Sequence, residues 1–395
     1  MDQNRRGRLH PSGMSVPLPT PVSVLEPSGL LYGSELALLE ILGALDPGAF
    51  QIEAVLPRAA PLAAHLRRSG VTCRELLGAT TAKRSRWKRL LGYARLARHW
   101  FRHRPALVYV NQGGILRPAA AIARQLRIPV LCQVQTLEDA RWVSRLTAQH
   151  HLVSTFVCNS QFIADHCTVP VGRRSTVYLG YKPKGLRRPL PLPSPCHGLL
   201  EVTVLGRVCE GKGHYFIVEA ARLLKQANLR RFHFRFVGDA ATPAEGLRIK
   251  TLVKRHRLTE WIEFRGYRDD VAAEFAATHL LAIPSFAEPF GRIFCEAAEA
   301  QVPVILADAG GLGELARHFN AGVRFPAGDV GAFIQCLQSI ASNYDTVRNG
   351  FQTAGTRMLH SLDFSSYLNV IGDLMRRAAN GAPVSVQWLG LGSRP

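Results

Sequence analysis

Nine short apolar runs, spaced by stretches long enough to hold a helix, constrain the fold of this chain more than any other feature. Four come early: Val22–Leu25, ALVYVN at 106–111, PVLCQVQ at 129–135 and TFVCNS at 155–160. Five follow: LEVTVLG at 200–206, FHFRFVG at 232–238, WIEFRG at 261–266, LLAIPS at 280–285 and VPVILAD at 302–308. Strands alternating with amphipathic helical segments imply a parallel sheet covered by helices. Between the two series lies KPKGLRRPLPLPSPCHG, residues 182–198, whose five prolines and weak periodicity suit an extended connector.

The reading is therefore α/β, two doubly wound units facing a central cleft. Its expected parts are a loosely ordered extension over 1–20, a first unit over 21–181, the connector over 182–198, a second unit over 199–360, and a helix and tail over 361–395. A length of 395 residues accommodates two such domains. Open α/β sheets bind ligands beyond the carboxyl ends of their strands, so functional residues should follow strands.

Composition narrows the class. With 47% hydrophobic and 20% charged residues the chain is neither disordered throughout nor a multi-span membrane protein. It has no run of about 18 apolar residues to cross a bilayer and no apolar signal at its start, so a cytoplasmic location is expected. The eight cysteines are scattered without a C-x-x-C pair and read as reduced thiols, with no metal site expected. Lys and Arg total 49 against 29 Asp and Glu, a net charge of +20 that draws anionic partners of any kind.

The most informative segment runs from Pro284 to Leu315, PSFAEPFGRIFCEAAEAQVPVILADAGGLGEL. A strand ends near Ser285, a loop presents Glu288, and Pro289 is placed to start a helix, since a first-turn residue needs no amide hydrogen. The amides of Phe290, Gly291 and Arg292 would then face a phosphate at the positive end of the helix dipole. Glu296, about two turns in, would reach a second part of the same ligand. Read alone, the two glutamates are equally ordinary exposed carboxylates near a helix start.

A second segment, Gly206 to Leu224, places Arg207 and Lys212 in a loop after a strand and before an amphipathic helix. Two cations there suit a diphosphate: Arg grips it in a fork, and Lys supplies a compact charge as the leaving group gains electrons. Gly206, Gly211 and Lys212 also fit G-x-x-x-x-G-K, but the Ser or Thr that would hold magnesium is replaced by Gly213. Gly311, Gly313 and Ala316 satisfy a dinucleotide fingerprint in form, yet follow a late strand, and read as a glycine-rich loop lining a sugar pocket.

These two segments resemble the retaining glycosyltransferases of family four, glycosyl transferases group 1, with Glu288 and Glu296 as their paired glutamates. Ser285, Pro289, Phe290, Gly291, Ala297, Ala300, Pro303, Val304, Gly310, Gly311 and Glu314 also fall where that family's pattern places them. The resemblance implies the GT-B architecture of two Rossmann-like domains. It implies Glu288 beside the donor sugar, Glu296 on the nucleotide ribose, and Arg207 and Lys212 on the diphosphate. Gly33 with Ser34 resembles the loop that closes over the donor phosphates, although a turn with Ser34 as helix cap is an equally local reading.

The expected activity is accordingly transfer of a hexose-type sugar, with retention, from a nucleoside-diphosphate sugar, UDP or GDP, to a glycan or lipid-linked acceptor. Glu288, Arg207 and Lys212 carry the catalytic expectation; Glu296, Phe290, Gly291, Arg292, Gly33 and Gly311 carry donor binding; no cofactor and no metal are expected. Paired glutamates also occur in glycoside hydrolases, but a nucleoside diphosphate leaves without a general acid and needs cations instead. Asp269 and Asp270 are adjacent rather than spaced as D-x-D, and read as a helix-capping pair.

The chain departs from the family at Gln135, where many members carry His, and at TVYLGYK, where Gly180 keeps an expected turn but Asn is missing. Lys83 to Arg104 holds nine Lys or Arg and no acid, with Trp87, Leu90, Leu91, Ala94, Ala97 and Phe101 on one helical face. Such a helix either lies peripherally on an anionic membrane or buries its stripe against its own sheet, the latter favoured. A sugar-nucleotide epimerase, a phosphorylase and a basic nucleic-acid-binding protein are the other classes in view; no helix-turn-helix, zinc or RNA-binding signature accompanies the charge, so no specific nucleic acid is expected.

Overall fold

The computed structural model describes residues 18–77, 86–186, 195 and 198–388, with backbone alone at 86–89. The expected extension over 1–20 and the Pro-rich stretch over 182–198 lie largely outside the described residues. The chain divides into two compact units, residues 1–180 with 364–389, and residues 181–363 with 390–395.

The first unit runs β1 (Thr20–Leu25), α1 (Gly33–Leu42), β2 (Phe50–Pro57), α2 (Pro61–Arg68), β3 (Thr72–Leu77) and α3 (Arg86–His103). It continues through β4 (Leu107–Val110), α4 (Leu116–Gln125), β5 (Val130–Val134), α5 (Leu137–Ser144), β6 (Val153–Cys158), α6 (Gln161–Asp165) and β7 (Arg174–Val177). The second unit runs β8 (Leu200–Leu205), α7 (His214–Gln226), β9 (Phe232–Val237), α8 (Pro243–Arg255), β10 (Ile262–Gly266), α9 (Val271–Ala276) and β11 (Leu280–Ile283). There follow α10 (Arg292–Ala300), β12 (Val304–Ala307), α11 (Gly310–Phe319), β13 (Val323–Phe325), α12 (Val330–Ser342) and α13 (Tyr344–Ser361). The chain then returns to the first unit with α14 (Phe364–Ala379) and β14 (Gln387–Trp388).

Both sheets are parallel. The first has the order β14-β7-β6-β5-β4-β1-β2-β3 and the second β10-β9-β8-β11-β12-β13. Counted within each unit, both contain the run 3-2-1-4-5-6 of a doubly wound nucleotide-binding sheet, as expected. The central strands β4, β5 and β6 are buried along their whole length, because helices cover both faces and apolar side chains are needed on each. In the second unit the matching core joins Val202, Phe234, Phe236 and Leu280 of the strands to Ile217, Ala221 and Leu337 of the helices.

Two local expectations are corrected and one holds. Gly180 makes no turn: its φ is not positive, and a Cβ there would lie 2.4 Å from that of Tyr367, so glycine serves the close approach of α14. The stripe expected to bury α3 against its sheet is not the buried face: Leu96 and Trp100 are fully buried, whereas Leu90, Leu91 and Phe101 are 58%, 54% and 68% exposed. Trp100 decides this, because its indole reaches the first sheet and donates to Ser23 Oγ at 2.9 Å. Trp87 lies outside the described side chains. Finally, Asp270 does cap α9, its Oδ1 accepting from the Ala273 amide at 2.9 Å.

Candidate functional site

In the second unit the strand order reverses between β8 and β11, which pair side by side, and the two sequence segments leave the sheet from these strands. After β8 the chain passes Gly206 and Arg207, makes a short turn over Glu210–Lys212, and enters α7 at His214. Gly213 makes this route possible. It caps α7 with φ of +77°, and a Cβ would stand 2.4 Å from the Pro284 carbonyl oxygen after β11. A Ser or Thr at 213, as a P-loop requires, would be strained and would collide with that backbone.

The contact sets Lys212 opposite Glu288. Lys212 Nζ lies 2.5 Å from Glu288 Oε2, both side chains being partly exposed. Glu288 is held from behind by its own carbonyl, which accepts the Leu312 amide at 3.3 Å, and by Gly310, whose Cβ would fall 2.5 Å from that oxygen. Three consecutive strand ends, those of β8, β11 and β12, thus frame one ion pair. Arg207 stands exposed on the same loop as Lys212.

Helix α10 starts later than Pro289. Its first residue is Arg292 and its cap is Gly291, in the left-handed region at φ of +90° and packed on Leu312. Pro289 and Phe290 therefore precede the helix, and the amide cradle expected over Phe290–Arg292 is not the opening turn. Glu296 is the fifth helical residue, one turn in rather than two, and its Oε1 lies 2.6 Å from Lys184 Nζ. One turn further, Glu299 accepts from the amides of Lys184, Gly185 and Leu186 and from the Tyr181 hydroxyl. Burial opposes ionisation of Glu299, but these four donors prevail and hold its carboxyl below the usual range.

Gly311 lies in the first turn of α11, not in a loop, since Gly313 donates to Ala309 and the turn closes there. Gly33 likewise opens α1 behind Tyr32 as cap, while Ser34 hydrogen-bonds Glu35 instead of capping. A Cβ at Gly33 would meet nothing within 4 Å. His214, next to the Lys212 turn, was not singled out by its sequence context. It is fully buried, edge-on to Phe236, and its Nε2 has no partner among the described residues. Burial, reinforced by the charge of Lys212, lowers its pKa to about 4 and keeps it neutral.

The first unit carries a different edge. The residue just past each of four adjacent strands is polar and buried: Glu26 after β1, Asn111 after β4, Gln135 after β5 and Asn159 after β6. Asn111 Nδ2 donates to Glu26 at 2.6 Å, Gln135 Nε2 to Asn111 Oδ1 at 2.9 Å, and Asn159 Nδ2 to the Gln135 carbonyl at 3.0 Å. Gln112 bridges Glu26 and Glu35, at 3.3 and 3.0 Å. Burial raises the pKa of Glu26, aided by Glu35 and only partly offset by Asn111 and the Ser28 amide. Of this row only Gln135 was marked in the sequence; the signal for the other three, a polar residue directly after an apolar run, was equally present.

With this geometry in view, the family match falls in the second unit, while the other likenesses extend beyond it. Residues 200–343 match the glycosyl transferases group 1 family. The chain is 25% identical over 301 residues to a protein named glycogen synthase from Mycobacterium tuberculosis, covering 70% of each. It is 30% identical over 144 residues to the D-inositol 3-phosphate glycosyltransferase of Streptomyces coelicolor, covering 36% of this chain and 31% of that one. Among solved structures, Anabaena Alr3699/HepE in complex with UDP-glucose aligns with a TM-score of 0.77 at 18% identity, over 90% of this chain and 99% of that one. The last likeness shows a shared fold, the GT-B arrangement of two Rossmann-like domains. The family match and the relatives support glycosyltransferase activity.

Proposed function

We propose that this chain transfers a hexose, with retention and without an essential metal, from a nucleoside-diphosphate sugar to a glycan or lipid-linked acceptor. The observation that carries the reading is the Lys212–Glu288 pair, which joins the two motifs at the reversal point of a nucleotide-binding sheet. A UDP-sugar is the first donor to try, since the Anabaena structure holds UDP-glucose. A glycan acceptor takes its support from the relative named glycogen synthase.

In this reading the bond between the anomeric carbon and the β-phosphate oxygen breaks, and negative charge gathers on the departing diphosphate. Lys212 and Arg207 stabilise it, so no general acid is needed. Glu288, released from Lys212, orients the sugar beside the positive anomeric carbon. The acceptor hydroxyl attacks on the departing face and its proton passes to the leaving phosphate oxygen. Glu296 receives the nucleotide ribose in exchange for Lys184. Phe290, Gly291, Arg292, Gly33 and Gly311 complete the proposed donor contacts.

The test is a thermal-shift and turnover screen with UDP-, GDP- and ADP-sugars, with and without EDTA, on the wild type and Lys212→Ala and Glu288→Ala variants. Stabilisation by one nucleotide series, with slow donor hydrolysis that EDTA leaves intact and each substitution lowers on the order of 10²-fold, is expected. Folded protein that responds to no nucleotide sugar defeats the reading. The anomeric configuration of the product, read by proton NMR, decides retention.

A further inference from the structure

Helix α3 turns its apolar stripe away from the protein. At about 100° per residue, Leu90, Ala94, Ala97 and Phe101 fall within a band roughly 60° wide, with Leu91 beside it. Leu96 and Trp100, on the other side, join the core of the first unit. Leu90, Leu91, Ala94 and Phe101 are exposed, so the stripe is neither a core face nor a scatter of single residues. Arg95, Arg98 and Arg102 run along one border of the band, all exposed. No Asp or Glu occurs anywhere between Lys83 and Arg104.

We propose that α3 is a peripheral membrane-docking helix, which sets Leu90, Leu91 and Phe101 into the acyl boundary of an anionic bilayer while Arg95, Arg98 and Arg102 hold its headgroup phosphates. Charge complementarity selects this occupant. An apolar groove on a protein would satisfy the leucines but leave three bordering cations without counter-charge, and a nucleic acid would satisfy the cations but offer nothing to Leu90 and Phe101. A bilayer surface supplies both, an apolar layer beneath a sheet of phosphates. No described helix is long and apolar enough to cross a membrane, which fits a helix that lies in the interface. The inference stands on α3 alone and is independent of the transfer reaction.

The test is cosedimentation of the full chain with vesicles of phosphatidylcholine alone and with vesicles in which a third is phosphatidylglycerol. Two triple variants accompany it: Leu90→Gln with Leu91→Gln and Phe101→Gln, and Arg95→Gln with Arg98→Gln and Arg102→Gln. Unchanged thermal unfolding certifies each fold, since neither set belongs to the core. The wild type should partition strongly to the anionic vesicles and weakly to the neutral ones. Each triple variant should lower the anionic partition on the order of 100-fold. Partition that ignores lipid charge, that persists in the leucine and phenylalanine variant, or that duplex DNA abolishes while itself binding the wild type and that variant equally, overturns the proposal.

Discussion

The carboxyl edges of the two sheets share a strand order and differ in what their loops present. In the second unit the residues directly past β8, β9, β11 and β12 are Gly206, Gly238, Pro284 and Asp308, and the pair at the reversal point, Lys212 with Glu288, stands further along its loops and is partly exposed. In the first unit the equivalent positions hold Glu26, Asn111, Gln135 and Asn159, buried and bonded to one another. One topology thus builds an accessible pair of opposite charges in one place and an interior polar row in the other. Distance from the strand end separates them: the buried row sits directly past its strands, whereas Lys212 and Glu288 stand out on the loops that follow β8 and β11.

The largest effect that would sharpen this contrast is on turnover. Lys212→Ala should lower it by 10² to 10³, on the scale of one lost transition-state donor, whereas Gln135→Ala should cost less than about tenfold. Equal losses at both positions would erase the distinction between a charged site and a supporting row. Steady-state kinetics on one donor settles it.

Next come opposite dependences on pH. His214 binds a proton less readily when folded, at about 4, than its ordinary 6.5, so the native state holds fewer protons between these values and stability falls as the pH drops through them. The whole step amounts to roughly 3 kcal/mol, and His214→Phe should remove it from urea unfolding curves. Glu26 is displaced the other way. Its folded carboxyl keeps its proton above the ordinary 4.5, so this contribution is present below that value and is lost as pH rises through the folded pKa. Asp139, raised chiefly by burial, adds in the same direction. Glu26→Gln should flatten the loss on the rising side and leave the His214 step untouched.

A smaller change, about 1 to 3 kcal/mol, is expected for Asn111→Leu, which strips a donor from Glu26 and an acceptor from Gln135. The smallest concerns Gly33→Ala. With open space around it and a helical backbone, alanine should shift stability by under about 1 kcal/mol, upward. A fall in donor affinity without a fall in melting temperature would then assign Gly33 to the ligand.

The sequence carried the architecture where strands are continuous apolar runs, as in LVYV of β4, or alternate strictly, as in FHFRFV of β9. It was silent at β2 and β3, FQIEAVLP and TCRELL, because strands beside the sheet edge admit polar residues that find partners: Glu53 of β2 takes Arg74 of β3 at 2.8 Å and His99 of α3 at 2.5 Å. Burial works against the charge on Glu53, and those two partners outweigh it, holding its carboxyl low. The pairing of Lys212 with Glu288 was not legible, since 76 residues separate them and only the fit of Gly213 against Pro284 brings them together. The start of α10 was misplaced for a related reason. Pro289 tolerates a first turn, but Gly291 pressed against Leu312 dictates the actual one.

The Lys212–Glu288 pair also acts as an internal competitor. Any anion that binds Lys212 must first displace a carboxylate already within hydrogen-bonding distance, so its affinity is the difference between two ion pairs and not the strength of one. The same exchange runs in reverse when the reaction is over. Glu288 returning to Lys212 helps expel the spent diphosphate, and a Glu288→Gln enzyme should hold that product longer than the wild type does.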